Sequence, residues 1–146
     1  MTSPKLPLTA EDIKKWIPHR DPFLLIDEVV EMVPSEMVTA IKYVKSNDPV
    51  FKGHFPGNPI YPGVLQVEGM AQAAGVLSIM SLDNPIKLCM FTEIKSARFR
   101  QPVIPDATIK YIVNVVKKRV PFFWFEARAE VNGEVVCEAS FSAKLG

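Results

Sequence analysis

Metal-binding and reactive side chains are scarce in this chain of 146 residues. It has two cysteines, Cys89 and Cys137, and two histidines, His19 and His54. No CxxC, HxxxH or HExxH pair is formed, which removes the usual zinc spacings. The distant cysteines are open to one disulfide or to two reduced, buried thiols, and the second is expected. No apolar run reaches 18 residues, so no membrane-spanning helix is expected. Residues 1–7 lack the apolar core of a secretory signal, and a cytosolic location is the expectation. Charge of one sign is not in excess either: 17 basic against 16 acidic residues leave +1. That balance gives no reason to invoke nucleic acid or an anionic membrane as partner.

The remaining composition is that of one globular domain over residues 1–146, with 48% hydrophobic and 23% charged residues. Thr9 reads as the N-cap of a short helix running to Ile17, with acids in its first turn and Pro18 as its stop. Strands are expected from Phe23 to Val33 and from Glu36 to Val44, joined by a turn at Pro34-Ser35. A proline-rich irregular stretch follows, from Asn47 to Pro62. Gly63 to about Leu82 is uninterrupted by proline and apolar nearly all round, the pattern of a buried helix. Four strands complete the chain: a bent one from Lys87 to Arg100, then Thr108 to Arg119, Phe122 to Val131 and Glu134 to Leu145. Asn132-Gly133 marks a tight hairpin. One long apolar helix with about six antiparallel strands implies an α+β domain in which a curved sheet wraps the helix. A second subunit is expected to cover the part of the helix that one sheet cannot.

Charge distribution locates the chemistry. Between Lys52 and Asp83 only Glu68 carries a formal charge, and only His54 besides it titrates near neutrality. Five of the seven glycines fall in the same stretch. A lone carboxylate on an apolar helix must be paired, hydrogen-bonded or protonated, and desolvation raises its pKa. Glu68 is therefore either a helix residue held by a structural partner or a catalytic acid. His54 is either a loop histidine bonded to backbone or the base of an acid–base couple with Glu68. Gly63, just after Pro62, is either a plain helix entry or a backbone donor for a carbonyl oxygen at the positive end of the helix dipole. Gln72 lies one turn beyond Glu68, placed to orient its carboxyl group or merely to pack.

The segment Gly53-His54-Phe55-Pro56-Gly57-Asn58-Pro59-Ile60-Tyr61-Pro62-Gly63-Val64-Leu65-Gln66-Val67-Glu68-Gly69-Met70-Ala71-Gln72 closely resembles the active-site segment of FabZ-type 3-hydroxyacyl-[acyl-carrier-protein] dehydratases. Ile17-Pro18-His19-Arg20 with Pro22-Phe23-Leu24-Leu25-Ile26-Asp27 resembles the N-terminal signature of that family, and Ala97-Arg98-Phe99-Arg100-Gln101-Pro102-Val103 its later strand motif. The resemblance implies a hot-dog fold and dimers with two active sites at the subunit interface, commonly assembled as a trimer of dimers. It also implies that His54 and Glu68, from opposite subunits, are the catalytic pair. Gly63 would offer its amide to the thioester carbonyl, Ile60 would hold the His54 ring by its backbone carbonyl, and Gln72 would support Glu68. The implied reaction turns (3R)-3-hydroxyacyl chains on acyl carrier protein into trans-2-enoyl chains during fatty acid elongation, with no metal or organic cofactor. Glutamate at position 68 matters, because the related FabA-type dehydratase/isomerases carry aspartate there. Three departures stand out: Asp21 for an aromatic residue, Tyr61 for a methionine beside the active-site turn, and Pro105-Asp106-Ala107 for a Pro-Gly-Asp turn. The Tyr61 change is expected to reshape the acyl pocket.

Residues 87–119 hold eight basic residues and two acidic ones, so the rest of the chain is net acidic. Such a segment is either a solvated strand face or a rim that steers an acidic carrier protein toward the site. Phe91, in the strand ahead of most of these residues, reads either as a tunnel-lining aromatic or as core. Other classes stay open at this level. A dehydratase/isomerase would form a cis-3-enoyl product, and a non-catalytic acyl-binding module would bind without turnover. A hot-dog thioesterase lacks the Gly53-His54-Phe55-Pro56 segment.

Overall fold

The computed structural model describes residues 5–82 and 88–146. Its first element, α1 (Ala10–Ile13), is capped by Thr9 through a reciprocal box with Asp12. The sequence reading carries this helix to Ile17, but the last turn tightens: Lys15 and Trp16 donate to carbonyls three residues back. The carbonyls of Lys14 and Ile17 accept instead from the Arg20 guanidinium, which ends the helix early. The strands are β1 (Glu28–Val33), β2 (Met37–Tyr43), β3 (Cys89–Phe99), β4 (Thr108–Arg119), β5 (Phe122–Val131) and β6 (Glu134–Leu145), with α2 (Gly63–Leu82) between β2 and β3. A single 3₁₀ turn, Pro49–Lys52, interrupts the irregular stretch before α2. The expected start of β3 at Lys87 lies outside the described residues.

All six strands pair antiparallel in the order β1-β2-β4-β5-β6-β3. Register shifts in β1, β3, β4 and β5 bend the sheet, two of them in β3, where the sequence suggested a bend. Asn132 and Gly133 both take positive φ, 52° and 81°, as a two-residue hairpin between β5 and β6 requires. The curved sheet wraps α2, which touches β2, β3, β4, β5 and β6. This is the hot-dog arrangement within the α+β class.

The covered surface differs from the expectation. One chain, through its sheet and residues 17–25, suffices for most of α2: from Gln66 to Met80, only Glu68 and Ala71 escape full burial. What one chain leaves open is β3, exposed along its length except at Cys89 and Ala97. Met90, Phe91, Ile94 and Phe99 of this edge strand are large exposed apolar side chains. The reason is topological, since β3 lies at the sheet margin and has a partner on one side only.

Close approach of α2 to the sheet depends on glycine. A Cβ built on Gly69 would lie 2.7 Å from the ring of Tyr111, which is fully buried in β4. A Cβ on Gly63 would overlap the Phe99 ring. Overpacking of this kind costs about 1–3 kcal/mol. Gly69→Ala is therefore expected to lower the denaturant midpoint and Tm, despite the better helix propensity of alanine. A midpoint equal to that of the wild type in urea unfolding would count against this close packing.

Candidate active site

Glu68 projects from the second turn of α2, and its side chain keeps 21% exposure in the single chain. Gln72, one turn on, is buried and uses its amide three ways. Nε2 donates to Glu68 Oε2 at 2.9 Å and to the Phe23 carbonyl at 2.8 Å, while Oε1 accepts from the Leu25 N–H at 2.8 Å. The backbone of residues 23–25 thus bonds to a helix side chain and not to a neighbouring strand. That corrects the expectation of a strand starting at Phe23: β1 begins at Glu28. Glu68 borders a cavity of about 380 Å³ between α2, residues 17–23 and the first residues of β3. His19, Phe23, Met90 and Phe91 also line it. Phe91 stands edge-on to Phe141 of β6, with ring centroids 5.4 Å apart, and so combines an inner contact with a face toward the cavity.

His54 sits in the loop between the 3₁₀ turn and α2. Its Nδ1 lies 2.7 Å from the Ile60 carbonyl, and the Ile60 N–H returns a bond to the His54 carbonyl. A carbonyl can only accept, so Nδ1 carries the proton of the neutral ring and Nε2 keeps its lone pair. Phe55 and Asn58 exchange two backbone bonds around Gly57, whose φ is +74°. The Tyr61 N–H bonds Val103, fixing the end of the loop. Gly63 opens α2, where a backbone N–H has no acceptor within the helix. Tyr61 does not join the cavity. It is buried against Phe51, with ring centroids 6.5 Å apart, so its substitution acts on the core and not on the lining described here.

The expected residues therefore fall into two groups within one chain. Glu68, Gln72 and Phe91 surround one cavity, while His54 and Ile60 form a bonded pair that does not line it. Two residues at the cavity carry no individual role in the sequence reading. Phe23 enters through its carbonyl, and His19 Nε2 lies 3.6 Å from Glu68 Oε2. The scarcity of histidine and a place in the N-terminal signature were the available signals for His19, but nothing in its spacing from Glu68 indicates contact. Burial depresses the His19 pKa below its ordinary value, outweighing the pull of Glu68. Burial also pushes the Cys89 thiol, on the cavity wall, up to about 12, so it stays uncharged. Both cysteines are free thiols, Cys137 buried and Cys89 only partly so.

Comparison with known proteins now decides the family. The model of the FabA-like domain matches residues 17–140. The 3-hydroxyacyl-[acyl-carrier-protein] dehydratase FabZ of Ehrlichia chaffeensis is 51% identical over 133 residues, covering 91% of this chain and 92% of the relative. This chain belongs to the FabA-like family, in its FabZ branch. The FabZ of Campylobacter lari is 45% identical, with 91% of this chain and 94% of the relative covered. Among solved structures, the dehydratase heterocomplex ApeI:P from Xenorhabdus doucetiae superposes with a TM-score of 0.80 at 20% identity, over 98% of this chain and 93% of that one. At that identity the superposition speaks for the fold alone. The segment that carries the resemblance runs from the His54 loop into α2 and holds His54, Ile60, Glu68 and Gln72, while Phe91 lies beyond it in β3.

The Gln72 amide gives a direct test of the local geometry. Gln72→Leu strands the Phe23 carbonyl and the Leu25 N–H without partners, at a cost of about 1–3 kcal/mol for a buried unsatisfied group. A matching fall in the urea midpoint is expected, together with faster amide exchange at Leu25. Unchanged exchange at Leu25 would show that the tie does not hold that segment.

Proposed function

We propose that this protein removes water from (3R)-3-hydroxyacyl-[acyl-carrier-protein] to give trans-2-enoyl-[acyl-carrier-protein], a step of fatty acid elongation. One observation carries the reading: in a chain of the FabZ branch, a histidine with a free Nε2 and a carboxyl group beside an apolar cavity both stand at their motif positions. Dehydration needs a proton taken from C2 and a proton given to the hydroxyl at C3. His54 is the base for C2, because its Nδ1 is committed to Ile60 and Nε2 is free. Glu68 is the acid for C3, since loss of bare hydroxide is a poor step near neutrality. The Gly63 N–H stabilises the enolate oxygen that forms on the thioester between these two transfers. Phe91 and its neighbours line the path of the acyl chain. The scheme uses these groups alone and calls on no metal or organic cofactor.

The separation of His54 from the Glu68 cavity within one chain supports a homodimer in which each site takes His54 from one copy and Glu68 from the other. The exposed edge β3, apolar at Met90, Phe91 and Ile94, is a surface such a dimer would cover. Assembly of three dimers, as the family resemblance implies, belongs to the same proposal, as does a cytoplasmic location. For the acidic carrier, the basic 87–119 segment offers Lys95, Arg98 and Arg119, none of which has an ion pair among the described residues. By contrast, Arg100 is engaged by Glu138 at 2.7 Å.

Following enoyl absorbance with 3-hydroxyacyl carrier-protein substrates of several lengths tests the reaction. His54→Ala and Glu68→Gln are each expected to lower kcat by about 10²–10⁴, the range of a positioned acid or base. Near-normal turnover in either folded variant would remove that residue from the mechanism. Mixed His54→Ala and Glu68→Gln chains should regain part of the activity, because one of the two sites in a heterodimer receives both intact groups. No recovery after proven subunit exchange would argue that the sites are not shared.

A further inference from the structure

The mechanism above makes no use of His19, yet this is the titratable side chain that one chain places beside Glu68. Its Nε2 stands 3.6 Å from Oε2, on the wall of the same cavity. The backbone around it is clamped by Arg20, whose guanidinium donates to the carbonyls of Ile17 and His19 at 3.0 and 2.7 Å and to that of Lys14 at 3.1 Å. The ring itself is mostly enclosed, and Nδ1 is buried without a hydrogen-bond partner. That orphan atom decides the state of the ring. An imidazolium, or the tautomer protonated at Nδ1, would bury an N–H with no acceptor, and a buried orphan donor is rarer in proteins than a buried orphan acceptor. Arg20, next in the chain, adds a like charge against protonation. His19 is thus neutral with its proton on Nε2, aimed at Glu68.

We propose that His19 is a positioning residue for Glu68: with Gln72 it supplies the second N–H donor to Oε2, leaving Oε1 as the oxygen that delivers the proton to the 3-hydroxyl. The inference rests on the acid role given to Glu68 above. Once His54 has taken the C2 proton, the proton passes from Oε1 to the departing hydroxyl, which leaves as water as the enolate collapses to the enoyl thioester, and Glu68 becomes the carboxylate. Two donors on Oε2 then hold the new negative charge. In the structure described here the 3.6 Å separation exceeds a formed hydrogen bond. The groups facing this pair are few. Gln72 comes from α2, Arg20 lies next to His19 in the chain, and from β3 the uncharged Cys89 thiol stands on the cavity wall.

The test compares His19→Phe, which keeps a ring and removes the donor, with His19→Gln, which keeps an N–H near the position of Nε2, and His19→Asn, whose amide is too short to reach Glu68. His19→Phe is expected to lower kcat by up to about 10²-fold, the cost of a misplaced catalytic group, with KM little changed. Loss of a donor that favours the carboxylate form is expected to move the basic limb of the kcat/KM profile to higher pH. His19→Gln should retain most of the rate and the wild-type limb, and His19→Asn should behave as His19→Phe does. Wild-type kcat and pH profile in His19→Phe would overturn the proposal, and so would equal losses in the Gln and Asn variants. If thermal unfolding shows that the Phe variant does not fold, the Gln–Asn comparison decides alone. Glu68→Gln, assayed alongside, separates the two levels. Turnover in that variant defeats the acid role itself. An inactive Glu68→Gln beside a fully active His19→Phe defeats only the part given to His19.

Discussion

A single buried amide holds together the parts of the fold that matter for chemistry. Gln72 is enclosed within α2, and its carboxamide reaches the Phe23 carbonyl, the Leu25 N–H and the Glu68 carboxyl group at once. A polar side chain in such a place is costly unless its bonds are made, and here three of them are. The same bonds dock residues 23–25 against the helix, place one wall of the cavity and fix the carboxyl group that faces it. Stability and site geometry are therefore one constraint here. A change that frees the N-terminal segment also loosens Glu68.

The helix that carries these groups is apolar on every side because nearly every side is covered. A strongly bent sheet closes over α2, and glycine at position 69 lets the helix backbone approach Tyr111 without a side chain between them. The strand order leaves β3 as a margin with unpaired backbone and exposed Met90, Phe91 and Ile94. This margin also forms part of the wall of the Glu68 cavity. Met90 and Phe91 therefore belong both to the exposed edge and to the cavity wall.

The two histidines show how local surroundings set the use of one side chain type. His54 spends Nδ1 on the Ile60 carbonyl, so in the neutral ring Nε2 is the atom with a lone pair. His19 has no partner for its buried Nδ1, and burial depresses its pKa below the ordinary value. The difference between the two rings comes from a single backbone carbonyl, present at Nδ1 of His54 and absent at Nδ1 of His19.

Much of this was legible in the amino-acid order. The bounds of α2, β4, β5 and β6 follow from an unbroken apolar run, β-branched stretches and the Asn132-Gly133 turn, all of them local signals. Glu68 and His54 stood out because a long, nearly uncharged stretch contains no other group of their kind, and the surrounding motif pointed to the family. What the order of residues does not encode locally is where separate segments meet. Residues 23–25 look like the start of a strand by composition, yet their backbone is claimed by an amide 47 and 49 residues away. The bent β3 was foreseen as a strand, but its exposure depends on the pairing order, which leaves it at the margin. The approach of His19 to Glu68, the burial of Tyr61 against Phe51 and the distance of His54 from the Glu68 cavity are likewise tertiary facts. Each depends on how the chain closes over α2, and that closure is a property of the packed sheet, with no local residue pattern to announce it.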